Sequence, residues 1–343
     1  MGVALVTPDS RPLPRLSVVV DNYNYAPYLR EALDSALPQL APGDELIVVD
    51  DGSSDGSREI LAGYAEDPRV QLVLQENQGQ LAAIFNGLAR AGGDLCLLLD
   101  SDDYFLPGYL ERVRQQARDN PDPAFFFCSF QAGGENPRGV AQMRQMQERM
   151  RLEPGPTGRS RCSALVLGEY LGAPTSGLAL RRSFVELLLS TRESFSDWMP
   201  LSPRTARWVG MPPGAHTALR LGADGIIVRA ASIADLDKCH DPEPGFFYRI
   251  HGGNAFASMR WWGRIWVRLR RNHRIAGMTA RALAVDPRPA LAEVVAEAGQ
   301  RSRPRYRRRR LRLRLNYVLA VLMARGPWWR KPAALVQVLR AFG

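Results

Sequence analysis

Asp100, Asp102 and Asp103 follow directly on the apolar run Leu95-Cys-Leu-Leu-Leu99, so three carboxylates crowd the end of what reads as a buried strand. Like charges placed there repel and raise one another's pKa unless a cation or solvent separates them. Hard oxygen donors at Asp-x-Asp spacing suit Mg²⁺ or Mn²⁺, and Mg²⁺ commonly completes its shell with substrate phosphates. The same residues would also serve to cap the next helix or solvate a turn, because Asp is favoured in both places. Both explanations stand until the surrounding elements are considered.

The first 130 residues alternate two hydrophobic periods. Leu16 to Val20, Leu46 to Val49, Val70 to Leu74, Leu95 to Leu99 and Ala124 to Phe130 read as short strands, mostly apolar throughout, as strands buried on both faces should be. Between them Leu29, Ala32, Leu33, Ala36 and Leu37 form one helical stripe, Ile60, Leu61 and Tyr64 a second, and Leu81, Ile84, Phe85, Leu88 and Ala89 a third. Such βαβ units imply an α/β fold with a mostly parallel sheet flanked by helices, whose ligands bind beyond the carboxyl ends of the strands. Three of those ends are acidic: Asp21-Asn-Tyr-Asn24, Asp50-Asp-Gly-Ser-Ser-Asp55 and Asp100-Ser-Asp-Asp103. One acidic end is a cap; three on one edge make a site.

Four segments, Ser17-Val-Val-Val-Asp-Asn-Tyr-Asn24, Val48-Val-Asp-Asp-Gly-Ser-Ser-Asp55, Asn77-Gln-Gly79 with Asn86-Gly87, and Asp100-Ser-Asp-Asp103, occur in an order and spacing that resemble the inverting glycosyltransferases of family 2, with the GT-A fold. The resemblance covers residues 15 to 130 firmly and 174 to 258 more loosely. It implies a catalytic domain over 1–258, with a nucleotide-sugar half (15–130) and an acceptor half (131–258), followed by a basic helical region (259–343).

By this resemblance Asp51 would contact the base of a nucleotide diphosphate sugar, with Asp21 and Tyr23 lining the same pocket, although an Asp at position 21 departs from the Pro or Thr common in related chains. Asn77 and Gly79 would open a helix whose N-terminus faces an anion or ribose. Asp102 would bind Mg²⁺ or Mn²⁺ directly, and Asp100 would assist through the ribose or a metal-bound water. Asp103 would orient the following loop. Asp224, in Gly222-Ala-Asp-Gly-Ile-Ile-Val228, resembles the acid that opens a helix beneath the acceptor and is the candidate general base, with Asp197 and Asp235 as rivals. In Phe247-Tyr-Arg-Ile-His-Gly-Gly-Asn254, Arg249 would face the diphosphate and His251 would complete the metal shell. Pro174-Thr-Ser-Gly177 and the residues to Arg181 resemble an acceptor-side strand, with 131–165 as a loop and helix over the site.

The net charge of +10 is localised: nine Arg lie in 301–314 and six in 260–274, both without an acid, which leaves 10 − 9 − 6 = −5 for the remainder. A helical wheel of 260–274 puts Trp261, Trp262, Ile265, Trp266 and Leu269 on one face and Arg260, Arg264, Arg268 and Arg271 on the other, the pattern of a helix lying on an anionic membrane. Packing of that apolar face on the catalytic domain is the other reading. No RNA-binding module accompanies the arginines, so nucleic acid is not the expected partner. Four scattered Cys without CxxC spacing favour a reducing compartment. The first fifteen residues lack a basic start with an apolar run behind it, and no segment reaches the ~18 apolar residues of a spanning helix. The expected location is cytoplasmic, peripheral on the inner face of the cell membrane, with a lipid-linked or saccharide acceptor.

Two other functions compete. A sugar nucleotidyltransferase would need a Gly-rich, basic loop after the first strand, and Asp21-Asn-Tyr-Asn-Tyr-Ala-Pro27 has neither property. A non-catalytic membrane adaptor on a transferase fold would have no use for acids at three strand ends.

Overall fold

The structure, a computed structural model, describes residues 12–149, 152–209, 218–251, 261–301 and 310–342. Its first part runs β1 (Leu16–Asn22), α1 (Ala26–Ala36), β2 (Glu45–Asp50), α2 (Ser57–Ala62), β3 (Val70–Leu74), α3 (Gln80–Leu88) and β4 (Leu95–Asp100). There follow β5 (Tyr104–Phe105), α4 (Tyr109–Asp119), β6 (Phe125–Gly134), α5 (Pro137–Arg149), β7 (Gly155–Pro156), α6 (Arg161–Leu167), β8 (Leu178–Arg181) and α7 (Arg182–Ser190). The chain continues with β9 (Trp198–Pro200), α8 (Pro203–Val209), β10 (Ala218–Arg220), α9 (Ala223–Ile233) and β11 (Lys238–Ile250). Helices α10 (Trp261–Ala282), α11 (Leu291–Arg301), α12 (Arg310–Met323) and α13 (Lys331–Ala341) complete the chain.

The main sheet has the order β3-β2-β1-β4-β8-β6-β11-β5, with β7 beside β11. β1 lies between β2 and β4, parallel to both. The chain winds outward from β1 to β3 and then crosses back to place β4 on the other flank, which creates a crevice at the carboxyl end of β1. β8, predicted as an acceptor-side strand, runs antiparallel between β4 and β6. Alternate residues of the inner strands feed two cores: Val18 and Val20 pack with Leu29 and Leu33 of α1 on one face, and Val19 with Ile84 and Leu88 of α3 on the other. Gly87 permits the close approach of α3, since a Cβ there would stand 2.4 Å from Val19 Cγ1.

The apolar cluster beneath α9 continues into Val294 and Ala298 of α11, Leu313 and Tyr317 of α12 and Val338 of α13. Polar contacts fix this junction. Glu297 accepts hydrogen bonds from the backbone N–H of Cys162 and Ser163 at the start of α6 (2.8 and 3.1 Å) and from the Tyr317 hydroxyl (2.6 Å). A carboxylate at a helix N-terminus satisfies orphan donors and meets the positive end of the helix dipole. Arg301 is fully buried and donates to Glu169 and Ser163 (both 2.9 Å), so the first of the nine arginines is an internal ion pair rather than surface charge. Those at 303–309 lie outside the described residues, as do Gly252 to Arg260.

Helix α10 turns inward a face other than the one that carries Leu269. Its inward stripe is Val267, Ile275 and Met278, and Leu269, grouped with the tryptophans on the wheel, is 60% exposed. Two residues at 100° each put Leu269 about 200° from Val267, on the opposite side of the helix. The side chains of Trp261, Trp262, Ile265 and Trp266 are not among those described. All four cysteines are buried and unpaired with one another.

Candidate active site

Parallel register sets Asp21 of β1 directly beside Asp100 of β4. Burial pushes the Asp21 carboxyl up to about 7, with the charge of Asp102 adding to the effect and a bond to Asp100 opposing it. Asp100 is raised well above the carboxylate range by burial first and then by Asp21, Asp102 and Asp103. Asp103 follows, through burial and then Asp102. Ligand oxygens of Asp100, Asp102 and Asp103 lie within 4.8 Å of one another, and Asp21 Oδ1 is buried with no hydrogen-bond partner. Carboxyl groups crowded together in a buried site, with an orphaned oxygen at their side, fit a divalent cation by charge, donor hardness and spacing.

Neighbouring polar groups hold the acids in place. Gln80 Nε2, at the start of α3, donates to Asp100 Oδ1 (2.8 Å). Ser176 Oγ donates to Asp103 Oδ2 (2.7 Å) and accepts from the Asp100 N–H (3.1 Å), while the Arg249 N–H donates to Asp103 Oδ1 (2.9 Å). Asp103 is thus buried with both oxygens engaged, and it ties the loop after β4 to β11. Asp102 faces outward and pairs with His251 Nε2 at 2.9 Å.

Aromatic rings wall this side. His251 stacks on Tyr28 and meets Tyr25 edge-on, both at 5.6 Å between centroids. Burial raises the Tyr25 pKa, and then Asp102, Asp100, Asp21 and Asp103 do, so this phenol faces the whole cluster. Arg249 lies 4.7 Å over the Tyr28 ring, donates from Nε to the Asp102 carbonyl (2.8 Å) and pairs with Glu31. Ser176, Tyr25 and Tyr28 are site residues that the strand-end acids did not reveal. The available signal was the pair of tyrosines three residues apart around Pro27, at the start of the helix that follows Asp21.

On the other side of β1, Asp51 is only 2% exposed. Its carboxylate accepts from Gln75 Nε2 (2.8 Å), the Gln78 N–H (2.7 Å) and the Gly79 N–H (2.8 Å). A carboxylate has about four lone-pair positions, so one remains for a ligand. Asn86 supports this loop by donating to Gln75 Oε1 (2.7 Å). Gly79 enters α3 at φ 94°, a conformation that favours glycine. Asn77 and Tyr23 are both exposed beside it, Tyr23 at 44%. Asp55 joins the starts of α1 and α2, accepting from the Ala26 N–H at 2.9 Å and from the Ser57 hydroxyl at 2.7 Å.

Asp224 occupies the first turn of α9, half-buried, and accepts from the Tyr170 hydroxyl at 3.0 Å. Its charge reaches the acidic cluster's surroundings: the Tyr248 phenol is raised by burial, then by Asp103, Asp100, Asp224 and Asp102. Asp235 sits beyond the far end of α9, paired with Arg159 at 2.8 Å, and Asp197 is buried.

Lys238 anchors α9 from below. Fully buried, it donates from Nζ to the carbonyls of Leu171 and Val228 (2.8 Å each) and to Ser232 Oγ (2.7 Å), and burial lowers its pKa well below the usual lysine range. Lys238→Met leaves two buried carbonyls and a hydroxyl without that donor. At about 1–3 kcal/mol for an unsatisfied buried group, a loss of about 3 kcal/mol is expected, read as a lower urea midpoint with unchanged m.

The sequence profile of the family described as glycosyl transferase family 2 matches residues 17–186. An uncharacterised glycosyltransferase of Nostoc sp. is 29% identical over 249 residues, 71% of this chain and 67% of that protein. The undecaprenyl-phosphate 4-deoxy-4-formamido-L-arabinose transferase of Serratia proteamaculans is 37% identical over 117 residues, 32% of this chain and 36% of that protein. The S. aureus TarS 1–349 crystal structure in complex with UDP superposes with a TM-score of 0.53 at 15% identity, covering 96% of this chain and 89% of that one. That likeness establishes the GT-A architecture, whose strand ends converge here on one acidic crevice. Residues 17–186 match glycosyl transferase family 2, and the chain is a glycosyltransferase.

Proposed function

We propose that the enzyme transfers a sugar, with inversion, from a nucleotide diphosphate sugar to an acceptor hydroxyl on a lipid-linked or saccharide substrate. The observation that carries this reading is the cluster of Asp21, Asp100, Asp102 and Asp103 at the switch point of the sheet, flanked by a candidate base on α9. Asp102 and Asp100 would hold Mg²⁺ or Mn²⁺, with His251 beside them. A divalent cation bound there supplies charge neutralisation for the departing diphosphate. Asp51, Asn77, Gly79, Tyr23 and Asp21 border the nucleotide side, and Arg249 fixes the Asp102 backbone while presenting its charge to the same crevice. Asp224 is the base that removes the acceptor proton, held at its post by the Tyr170 hydroxyl.

The functional test is a panel of nucleotide sugars with Mn²⁺ or Mg²⁺, offered with polyprenyl phosphate in vesicles or with soluble oligosaccharides. Release of nucleoside diphosphate with inverted product anomer supports the reading. Pyrophosphate release from a nucleoside triphosphate and sugar phosphate would replace it with nucleotidyl transfer.

A lipid-linked acceptor places the enzyme at the cytoplasmic face of a membrane. Among the described residues no helix is long and apolar enough to cross one. Support for surface contact comes from α12, which exposes Leu311, Leu315, Leu319, Leu322 and Met323, and from Trp328 and Trp329, 76% and 64% exposed. Residues 302–343 carry twelve Arg or Lys and no acid, as contact with anionic lipid requires. Trp328→Ala with Trp329→Ala is expected to weaken partition into phosphatidylglycerol vesicles about tenfold, measured by co-sedimentation. Unchanged partition would rule out this face as the lipid contact.

A further inference from the structure

An open groove of about 480 Å³ runs between the β9–α8 segment and α10. One side is a row of basic residues along α10: Arg270, His273, Arg274 and, two turns on, Arg281. Eleven residues at 1.5 Å each make that row about 16 Å long. The facing wall supplies the hydroxyls of Ser202 and Thr205, 2.8 Å apart, and the apolar surface of Met199 and Leu201. Among the described residues, no acid lines the groove. Arg274 and Arg281, both exposed, stand beside these hydroxyls and are accessible to an anion from outside.

Its position gives that anion a role. Arg271, next to the first rung, directs Nη2 to within 3.6 Å of the Cβ position of Gly222, and Asp224 Oδ1 lies 2.8 Å from the same point. Arg270, the first groove arginine, is thus one residue and about 100° round the helix from the side chain that approaches the candidate base, and the groove leads away from there along α10. Arginine forks match the paired oxygens of a phosphate, and Ser and Thr hydroxyls add neutral donors.

We propose that this groove binds phosphate groups of the acceptor, so that a phosphate-bearing substrate is held along α10 with its reacting end at Asp224. The proposal rests on the transferase reading only in calling the bound group an acceptor; the phosphate site is tested without any transfer. In metal-free buffer, calorimetric titration of the full chain with inorganic tripolyphosphate is expected to show binding. Arg274→Glu with Arg281→Glu should weaken it at least about tenfold, and the matching Lys pair less than about threefold. Both positions are exposed. Far-UV circular dichroism melts establish that each variant is folded.

The source of the phosphate is read on the same proteins. Neutral-lipid vesicles carrying polyprenyl phosphate form one arm and a soluble phosphodiester polymer the other, and charge reversal should abolish binding in the arm that matches the natural acceptor. Wild-type binding to tripolyphosphate that survives in the Glu pair, or the absence of wild-type binding, overturns the proposal. Failure of the transferase reading would show separately, as absent nucleoside diphosphate release.

Discussion

Asp102→Asn is expected to lower kcat/KM about 10²- to 10³-fold, the usual consequence of removing one preorganised charge from a transition-state site. The substitution is nearly isosteric. It retains an acceptor oxygen toward His251 while removing the negative charge that a divalent cation would meet. Asp102 meets His251 through one oxygen, whereas Asp103 has both oxygens committed to Ser176 and Arg249, and Asp100 is held by Gln80. Mn²⁺ affinity should fall along with turnover, and excess Mn²⁺ should restore part of the activity. Asp103→Asn should act differently, reducing stability because a buried amide group must now replace an acceptor of two hydrogen bonds. An Asp102→Asn enzyme with full activity, still inhibited by chelator, would move the metal away from this residue.

Asp224→Asn is expected to reduce kcat for transfer about 10²- to 10⁴-fold while leaving the KM for donor unchanged, the range for loss of a general base. The amide oxygen still accepts from the Tyr170 hydroxyl, so α9 should remain in place and the melting temperature should not move. Rapid-quench measurement of a single turnover separates this chemical defect from slow product release. If kcat is retained and the melting temperature falls, Asp224 is a helix-terminal structural acid, and the base must be sought elsewhere around Tyr248.

Most of the architecture of residues 15–130 is legible in the sequence. The runs at Leu16, Leu46 and Leu95 become strands because β-branched and leucine residues buried on both faces leave little alternative, and Val70–Leu74 pairs with β2 as a partly exposed edge. Topology alone then places their acidic ends on one edge. What the sequence leaves open depends on contacts between distant segments. Ser176 reaches Asp103 across 73 positions and Arg249 reaches it across 146, and no local pattern encodes such pairings. Arg301 reads as one more cation in a basic run, yet its partner Glu169 makes it part of the interior. For Leu269 a helical wheel shows only which residues share a face, and the packing partners of α10, here α9 and α6, decide that the opposite face turns inward. The role of Asp51 is also only half visible, because its strand-end position is plain but its grip on the loop from Gln75 to Gly79 is not.

Whether the acids at the ends of β1 and β4 form a metal-dependent diphosphate site is tested most directly by calorimetric titration of the wild-type chain with UDP, GDP and dTDP, each with Mn²⁺ and again with chelator. At least one nucleoside diphosphate is expected to bind with Mn²⁺ and to lose about tenfold or more in affinity without it, because the carboxylates otherwise repel the phosphates. Equal affinity in both conditions, or no binding of any of the three, would contradict a metal-dependent site at these strand ends.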